Sequence, residues 1–264
     1  MNYETLTYSL EKGVATLTLN RPAVYNAFNG QLKTELLAAL NAAAADDAVR
    51  CVVLTGGSGK AFSAGQDLKE AMEMSKGGKI DFKTMVQTGY NPLIRAMRDL
   101  PKPILGAING VAAGAGLAIA LATDMRVMHA EARLVEGFTG IALVPDSGGT
   151  YFFSRMMNYP EAFEFIALNE PMNAETALKM GLVNRIASAE NYQQTVQELA
   201  LRLAAAPTKT LGLAKQMLHK SLHSTLDEIL DLEADMQEIA GNSQDCAIGL
   251  MAFATKQAPV FVGK

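Results

Sequence analysis

Apolar positions along the chain fall into two rhythms that take turns. "VATLTLN" (Val14 to Asn20) and "VRCVVLTG" (Val49 to Gly56) are rich in β-branched residues and bounded by turn formers, which predicts strands. Between them, Gln31 to Ala45 carries Ala and Leu at helical spacing. The alternation continues with a helical stretch from about Asp67 to Leu100, a buried-type strand in "KPILGAING", a helix in "GAGLAIALATD" and a strand around "MRVMHAEARLV". Such a pattern predicts an α/β protein with largely parallel strands joined by right-handed crossovers. From about Asn191 onward the rhythm changes to helix after helix, broken at "APTKT" and "AGNSQD". The expected organisation is an α/β core over 1–190 and a helical region over 191–264.

Length and composition narrow the class. The chain has 264 residues, of which 49% are hydrophobic and 19% charged, a balance that supports a large core and excludes long disorder. No basic segment leads into an apolar one at the N-terminus, and no apolar run reaches membrane-spanning length, so a cytoplasmic location without a membrane partner is expected. A net charge of −4 without Lys/Arg runs argues against nucleic acid as a partner. Cys51 and Cys246 stand far apart and outside any Cys-x-x-Cys spacing, so they read as packing residues rather than a disulfide or zinc pair.

Several motifs fail on inspection. "GGSGKAF" would place the first glycine of a phosphate loop at Leu54 and its hydroxyl residue at Ala61. "GAGLAIA" puts Ile119 where a dinucleotide fingerprint requires its third glycine. His219 and His223 are one helical turn apart but have no acidic third ligand, so no metal site is expected. Two other stretches carry more. "AFSAGQDL" and "NGVAAGAGLAIALATD" are both small-residue turns from strand to helix, and two such turns are able to aim two backbone N–H groups at one oxygen; close packing of helices would use the same residues.

The ordered set "LTLNRPAVYNAFN", "VVLTGGSGKAFSAGQDL", "LPKPILGAINGVAAGAGLAIALATD", "GIALVPDSGGTYFFSR" and "NAETALKMGLVNRI" resembles the crotonase, or enoyl-CoA hydratase/isomerase, superfamily over nearly the whole chain. The resemblance implies a spiral of repeated β-β-α units, a helical C-terminal trimerisation region, a homotrimer or dimer of trimers, and an acyl-CoA thioester substrate. Coenzyme A then belongs to the substrate, and no separate cofactor is implied.

Residue by residue, the resemblance assigns an oxyanion hole to the backbone N–H groups of Gln66 and Ala115, the latter between Gly114 and Gly116. Val24, Ala27, Ala64 and Leu68 are expected beside the CoA adenosine, and Lys256 at a phosphate. Arg21 and Asp67 flank turns, where a structural role is as good an explanation as substrate contact. The family's hydratases hold water with two glutamates; here those positions carry Ala118 and Phe138, and neither moves a proton. Glu136, two residues from the second, is a weaker acid/base candidate by strand alternation. Asp146 falls where dienoyl-CoA isomerases, 4-chlorobenzoyl-CoA dehalogenase and 1,2-epoxyphenylacetyl-CoA isomerase carry an aspartate. An aspartate just ahead of a helix also reads as an N-cap.

The whole-chain pattern is most similar to the epoxyphenylacetyl-CoA isomerase branch, in "YNPLIRAMRDLPKPILGAINGVAAGAG", "LVPDSGGTYF" and the ending "AFATKQAPVFVGK". It implies an isomerase that moves a proton through a thioester enolate, in phenylacetate or fatty acid degradation. Hydration, dehalogenation and non-catalytic acyl-CoA or RNA binding are the alternatives. The dehalogenase pocket resembles one with a tryptophan, and this chain has none. Phe82, Tyr90, Phe138 and Tyr151 are candidate acyl-pocket residues.

Overall fold

The computed structural model describes residues 3–264. A hairpin of β1 (Leu6–Glu11) and β2 (Val14–Leu19) opens the chain, followed by α1 (Gly30–Ala45), capped by the Asn29 side chain on Leu32 N. Three strand pairs come next. They are β3 (Cys51–Thr55) with β4 (Ala61–Ser63), β5 (Ile104–Ile108) with β6 (Val111–Ala113), and β7 (Met125–His129) with β8 (Leu134–Val135). Helices α2 (Leu68–Met74), α3 (Phe82–Met85) and α4 (Asn91–Asp99) follow the first pair, and α5 (Ala115–Leu121) the second. After the third come α6 (Gly149–Met156), α7 (Tyr159–Leu168) and α8 (Ala174–Lys179), then β9 (Arg185–Ala187).

Each pair gives one strand to each of two sheets. The larger sheet has six strands in the order β1-β2-β3-β5-β7-β9, antiparallel only at β1–β2, and the smaller has three, β4-β6-β8, all parallel. This is a spiral of β-β-α units. Two asparagines, Asn26 buried and Asn109 partly buried, hold the crossing from one sheet to the other. Asn26 Nδ2 donates to the carbonyls of Gly56, Ala61 and Phe62, while Asn109 Oδ1 accepts from Gly56 N at 2.9 Å.

The central strands of the larger sheet, β3, β5 and β7, are buried on both faces, which is why they read as continuous apolar runs. Val52 and Leu54 of β3 join the core beneath α1, while Cys51 and Val53 face the other way into a second cluster with Val196, Leu199 and Ala200. Those last residues lie on α9 (Tyr192–Ala205). Helix α9 thus follows position 190 yet covers a face of the sheet. Helices α10 (Thr208–Ser221), α11 (Leu226–Gly241) and α12 (Gln244–Thr255) complete the helical end. Lys215 of α10, buried, pairs with Asp124 Oδ2 at 2.9 Å. The chain end is drawn back by Asp245, whose carboxylate accepts from Val262 N and Gly263 N.

The segmentation differs from the sequence expectation in four places. The helical stretch over 67–100 is broken at 75–81, and between α3 and α4 the backbone takes a π turn, Val86–Tyr90. "MRVMHAEARLV" is two strands in different sheets. "APTKT" is only a break at Ala206 and Pro207, because α10 already starts at Thr208. His223 lies beyond the end of α10, and no cluster able to hold a metal is found among the described residues. No helix among them is long and apolar enough to cross a membrane.

Candidate active site

Strands β4 and β6 are neighbours in the smaller sheet, so the turns leaving them also stand together. The first is Ala64-Gly65-Gln66; the second is Gly114, with α5 opening at Ala115. Gly65 has φ +88°, and a Cβ there would stand 2.8 Å from the Ala113 carbonyl oxygen and 3.4 Å from Ala115 N. Only glycine lets the first turn come this close to the second. Among the described residues, neither Gln66 N–H nor Ala115 N–H donates to another protein group. Two unspent donors therefore sit on adjoining turns.

Facing them is a cavity of 110 Å³ whose wall includes Gln66, Ala115, Phe138 and Asp146. Phe82, Met85, Ile141 and Leu143 make much of the rest apolar. Asp146 is the one carboxylate on that wall. It is placed by the loop that follows β8, through a 3-10 turn at Thr139–Ile141. Burial pushes its carboxyl above the usual range, opposed by a hydrogen bond from Ser147 Oγ at 2.7 Å and by the charge of Lys33. The helix-cap explanation fails: the N-cap of α6 is Gly148, and it is the Asp146 backbone carbonyl that accepts from Gly149 N, at 2.7 Å.

Glu136 is fully buried and is not on the cavity wall. Its Oε2 accepts from Phe138 N, Thr139 N and Thr139 Oγ1, each at 3.0 Å, so it pins the turn that carries Phe138. Ala118 is buried within α5.

Sequence reasoning passed over how the Gln66 side chain is held. Its Oε1 accepts from Tyr90 Oη at 2.8 Å and from Lys33 Nζ at 3.1 Å, while Nε2 donates to the Asp67 carbonyl at 3.1 Å. Tyr90 is buried on the cavity wall against Phe28, and its phenol is held well above its usual range by burial, then by the nearby charges of Asp146, Glu70 and Asp67. Lys33 is lowered by burial, against the pull of Glu70 and Asp146. A wider cavity of 600 Å³ between α1, α2 and α3 shares Gln66 and Met85 with the first.

The remaining candidates are spread more widely. Ala64, Leu68 and Gly114 join Gln66 on the wall of the smaller cavity, as do Phe82, Tyr90 and Phe138. Tyr151 does not; it packs on Phe152 and under the Arg155 guanidinium, 3.6 Å from its centroid. Asp67 caps α2 through Glu70 N and pairs with Arg21 Nη1 at 3.0 Å, so both of these side chains are occupied in holding the turn. Val24 is exposed at the end of a short 3-10 turn and Ala27 is buried next to it. Lys256 is the exposed left-handed C-cap of α12, with φ 54°.

A two-sheet spiral that brings two glycine-bearing turns together in this way is the crotonase class of protein. The chain belongs to the enoyl-CoA hydratase/isomerase family, whose model matches residues 9–264. It is 41% identical to a 1,2-epoxyphenylacetyl-CoA isomerase of Escherichia coli (strain K12), over 97% of each chain. A 4-chlorobenzoyl coenzyme A dehalogenase of an Arthrobacter species is 36% identical over 84% of this chain and 80% of its own. The crystal structure of an enoyl-CoA hydratase from Polaromonas sp. JS666 superposes with a TM-score of 0.91 at 29% identity, covering 97% of this chain and 99% of that one.

Proposed function

We propose that the protein is an acyl-CoA isomerase that moves a proton through a thioester enolate, with Asp146 as the base. The observation that carries this reading is the single carboxylate on the wall of a cavity that two residues with unspent N–H groups also line. The thioester carbonyl oxygen lies between Gln66 N–H and Ala115 N–H. Asp146 takes a proton from the acyl chain, the electron pair moves onto that oxygen, and the proton returns at another carbon. For a ring epoxide the same enolate accompanies ring opening.

The energetics favour this arrangement. Preorganised donors in a dry site are each worth about 3 kcal/mol to the developing oxyanion. A base raised towards working pH by burial transfers protons better than an ordinary carboxylate. Hydration calls for a second group to hold and protonate around water, and the two positions that would supply it carry Ala118 and Phe138.

In the same reading CoA runs past Val24, Ala27, Ala64 and Leu68, with Lys256 at a phosphate, and no cofactor is needed beyond the CoA of the substrate. The subunits form a homotrimer or a dimer of trimers. Helix α11 buries none of its residues within the chain and exposes Leu226, Leu230 and Ile239. Together with exposed Leu250, Met251 and Phe253 on α12, this is more apolar surface than scattered exposure explains. The product serves phenylacetate or fatty acid degradation in the cytoplasm.

The test is a panel of 3-enoyl-, 2-enoyl-, epoxyphenylacetyl- and chlorobenzoyl-CoA thioesters, with products identified by mass spectrometry. Isomerised products and exchange of allylic deuterium with solvent are expected. Hydration of 2-enoyl-CoA faster than any isomerisation would reject the reading.

A further inference from the structure

Lys33 sits on α1 with only 7% of its surface exposed, in a place a lysine does not reach by chance. Its stem lies against Gly89 of the π turn, where a Cβ would meet Lys33 Cδ at 3.1 Å and Nζ at 3.3 Å. The glycine makes the room that the side chain fills. At the far end, the ammonium stands 4.6 Å from the centroid of the Tyr90 ring and 3.1 Å from Gln66 Oε1. Lys33 has no carboxylate at ion-pair distance among the described residues. A buried ammonium satisfied by an amide oxygen and an aromatic face, rather than by a partner charge, is costly to keep.

What it touches gives that cost a use. Gln66 Oε1 receives both Lys33 and Tyr90, and the peptide whose N–H faces the cavity belongs to the same residue. Holding the side chain restrains the turn that carries that peptide. Asp146 lies on the same cavity wall as Gln66 and Tyr90, within electrostatic reach of the ammonium.

We propose that Lys33 is a positioning residue of this site: its ammonium holds the Gln66 side chain and so steadies the turn whose N–H faces the cavity. The same charge acts on Asp146, an effect whose kinetic meaning rests on the isomerase reading, whereas the hold on Gln66 does not. The groups acting on Asp146 are Ser147 from its own loop and Lys33 from α1, while Tyr90 of the π turn shares its cavity wall and is itself raised by the Asp146 charge. Glu70 of α2 acts on Lys33 itself, and Lys79 and Asp81 line the wider cavity that Lys33 also lines.

Two variants separate the two effects. Lys33→Met loses the hydrogen bond and the charge, whereas Lys33→Gln keeps a donor for Gln66 Oε1 without the charge; circular dichroism checks that both fold. Calorimetric binding compares an acyl-CoA thioester with its carbonyl-free thioether, and steady-state kinetics gives the acid limb of kcat against pH. Lys33→Met is expected to lower kcat roughly ten- to hundredfold with KM little changed, to shrink the preference for thioester over thioether, and to move the acid limb to higher pH. Lys33→Gln is expected to recover most of the preference while its acid limb stays displaced.

A Lys33→Met protein with the wild-type preference for thioester over thioether would overturn the proposal, whatever its kcat. If Asp146→Asn remains an active isomerase while Lys33→Met still shrinks the preference, the hold on Gln66 stands and the isomerase reading of Asp146 falls.

Discussion

The Ser147 hydroxyl donates to Asp146 Oδ1 at 2.7 Å, and it does so from a left-handed backbone with φ 53° that a serine seldom adopts. Ser147 is buried, so the hydrogen bond is shielded from competing water. It favours the ionised carboxylate, against the burial that disfavours it. In Ser147→Ala the acid limb of isomerisation should therefore move to higher pH, with much of the activity recovered on the alkaline side. A pH profile of kcat identical to wild type would show that the hydroxyl only supports the turn.

Gly65 offers a test of the two-donor arrangement that leaves the base alone. An added methyl would press on the Ala113 carbonyl and force the Gln66 and Ala115 turns apart. Gly65→Ala should lower kcat about 10²- to 10³-fold, the cost of losing one oxyanion donor. The preference for thioester over thioether should fall with it, measured by calorimetry on a protein whose secondary structure is intact.

For Asp146 itself, the reading of one carboxylate as base predicts a large kinetic effect with no loss of fold. Asp146→Asn should bind acyl-CoA while isomerisation drops by about 10²-fold or more. Ala118→Glu on that background should not restore it. Stability should move the other way. A carboxyl whose folded-state pKa is raised holds its proton more tightly in the native chain than in the unfolded one, so it subtracts stability as pH rises through that pKa. The Asn variant should melt above wild type at neutral pH, and the difference should vanish in acid.

Association should depend on the helical end. Light scattering is expected to give a trimer or a multiple of three at micromolar concentration, and Leu226→Glu with Leu230→Glu should reduce it to smaller species. A wild-type protein that is a monomer or a simple dimer would reject that arrangement.

Much of this molecule is legible in its residues. The continuous apolar runs of β3 and β5 and the Ala/Leu spacing of α1 announce themselves, because burial on both faces or on one stripe leaves a periodic trace. Membership of a sheet leaves none. Met125 to Val135 reads as one strand, yet β7 and β8 belong to different sheets, because the turn between them changes sheets without changing composition. The break after α2 was present in Gly77 and Gly78 but lay inside a stretch otherwise rich in helix formers.

Asp146, Gln66 and Ala115, which the resemblance singles out through its ordered motifs, share one cavity wall. The local reason that Asp146 is not a helix cap is the left-handed Ser147-Gly148 pair, which shifts the start of α6. Lys33 and Tyr90 were not legible as partners of Gln66, since their meeting depends on how α1 packs against the π turn.

The spiral also has a consequence for how the enzyme comes into being. Gln66 follows the first strand pair, Ala115 the second and Asp146 the third. As the chain leaves a ribosome, N-terminal end first, it presents one donor, then a facing donor, and only last the carboxylate. No shorter nascent chain holds all three, so an exposed carboxylate never waits beside a half-built pocket. With Asp146 as the proposed base, turnover waits on the docking of the third coil, which makes catalytic activity a reporter of that step in folding.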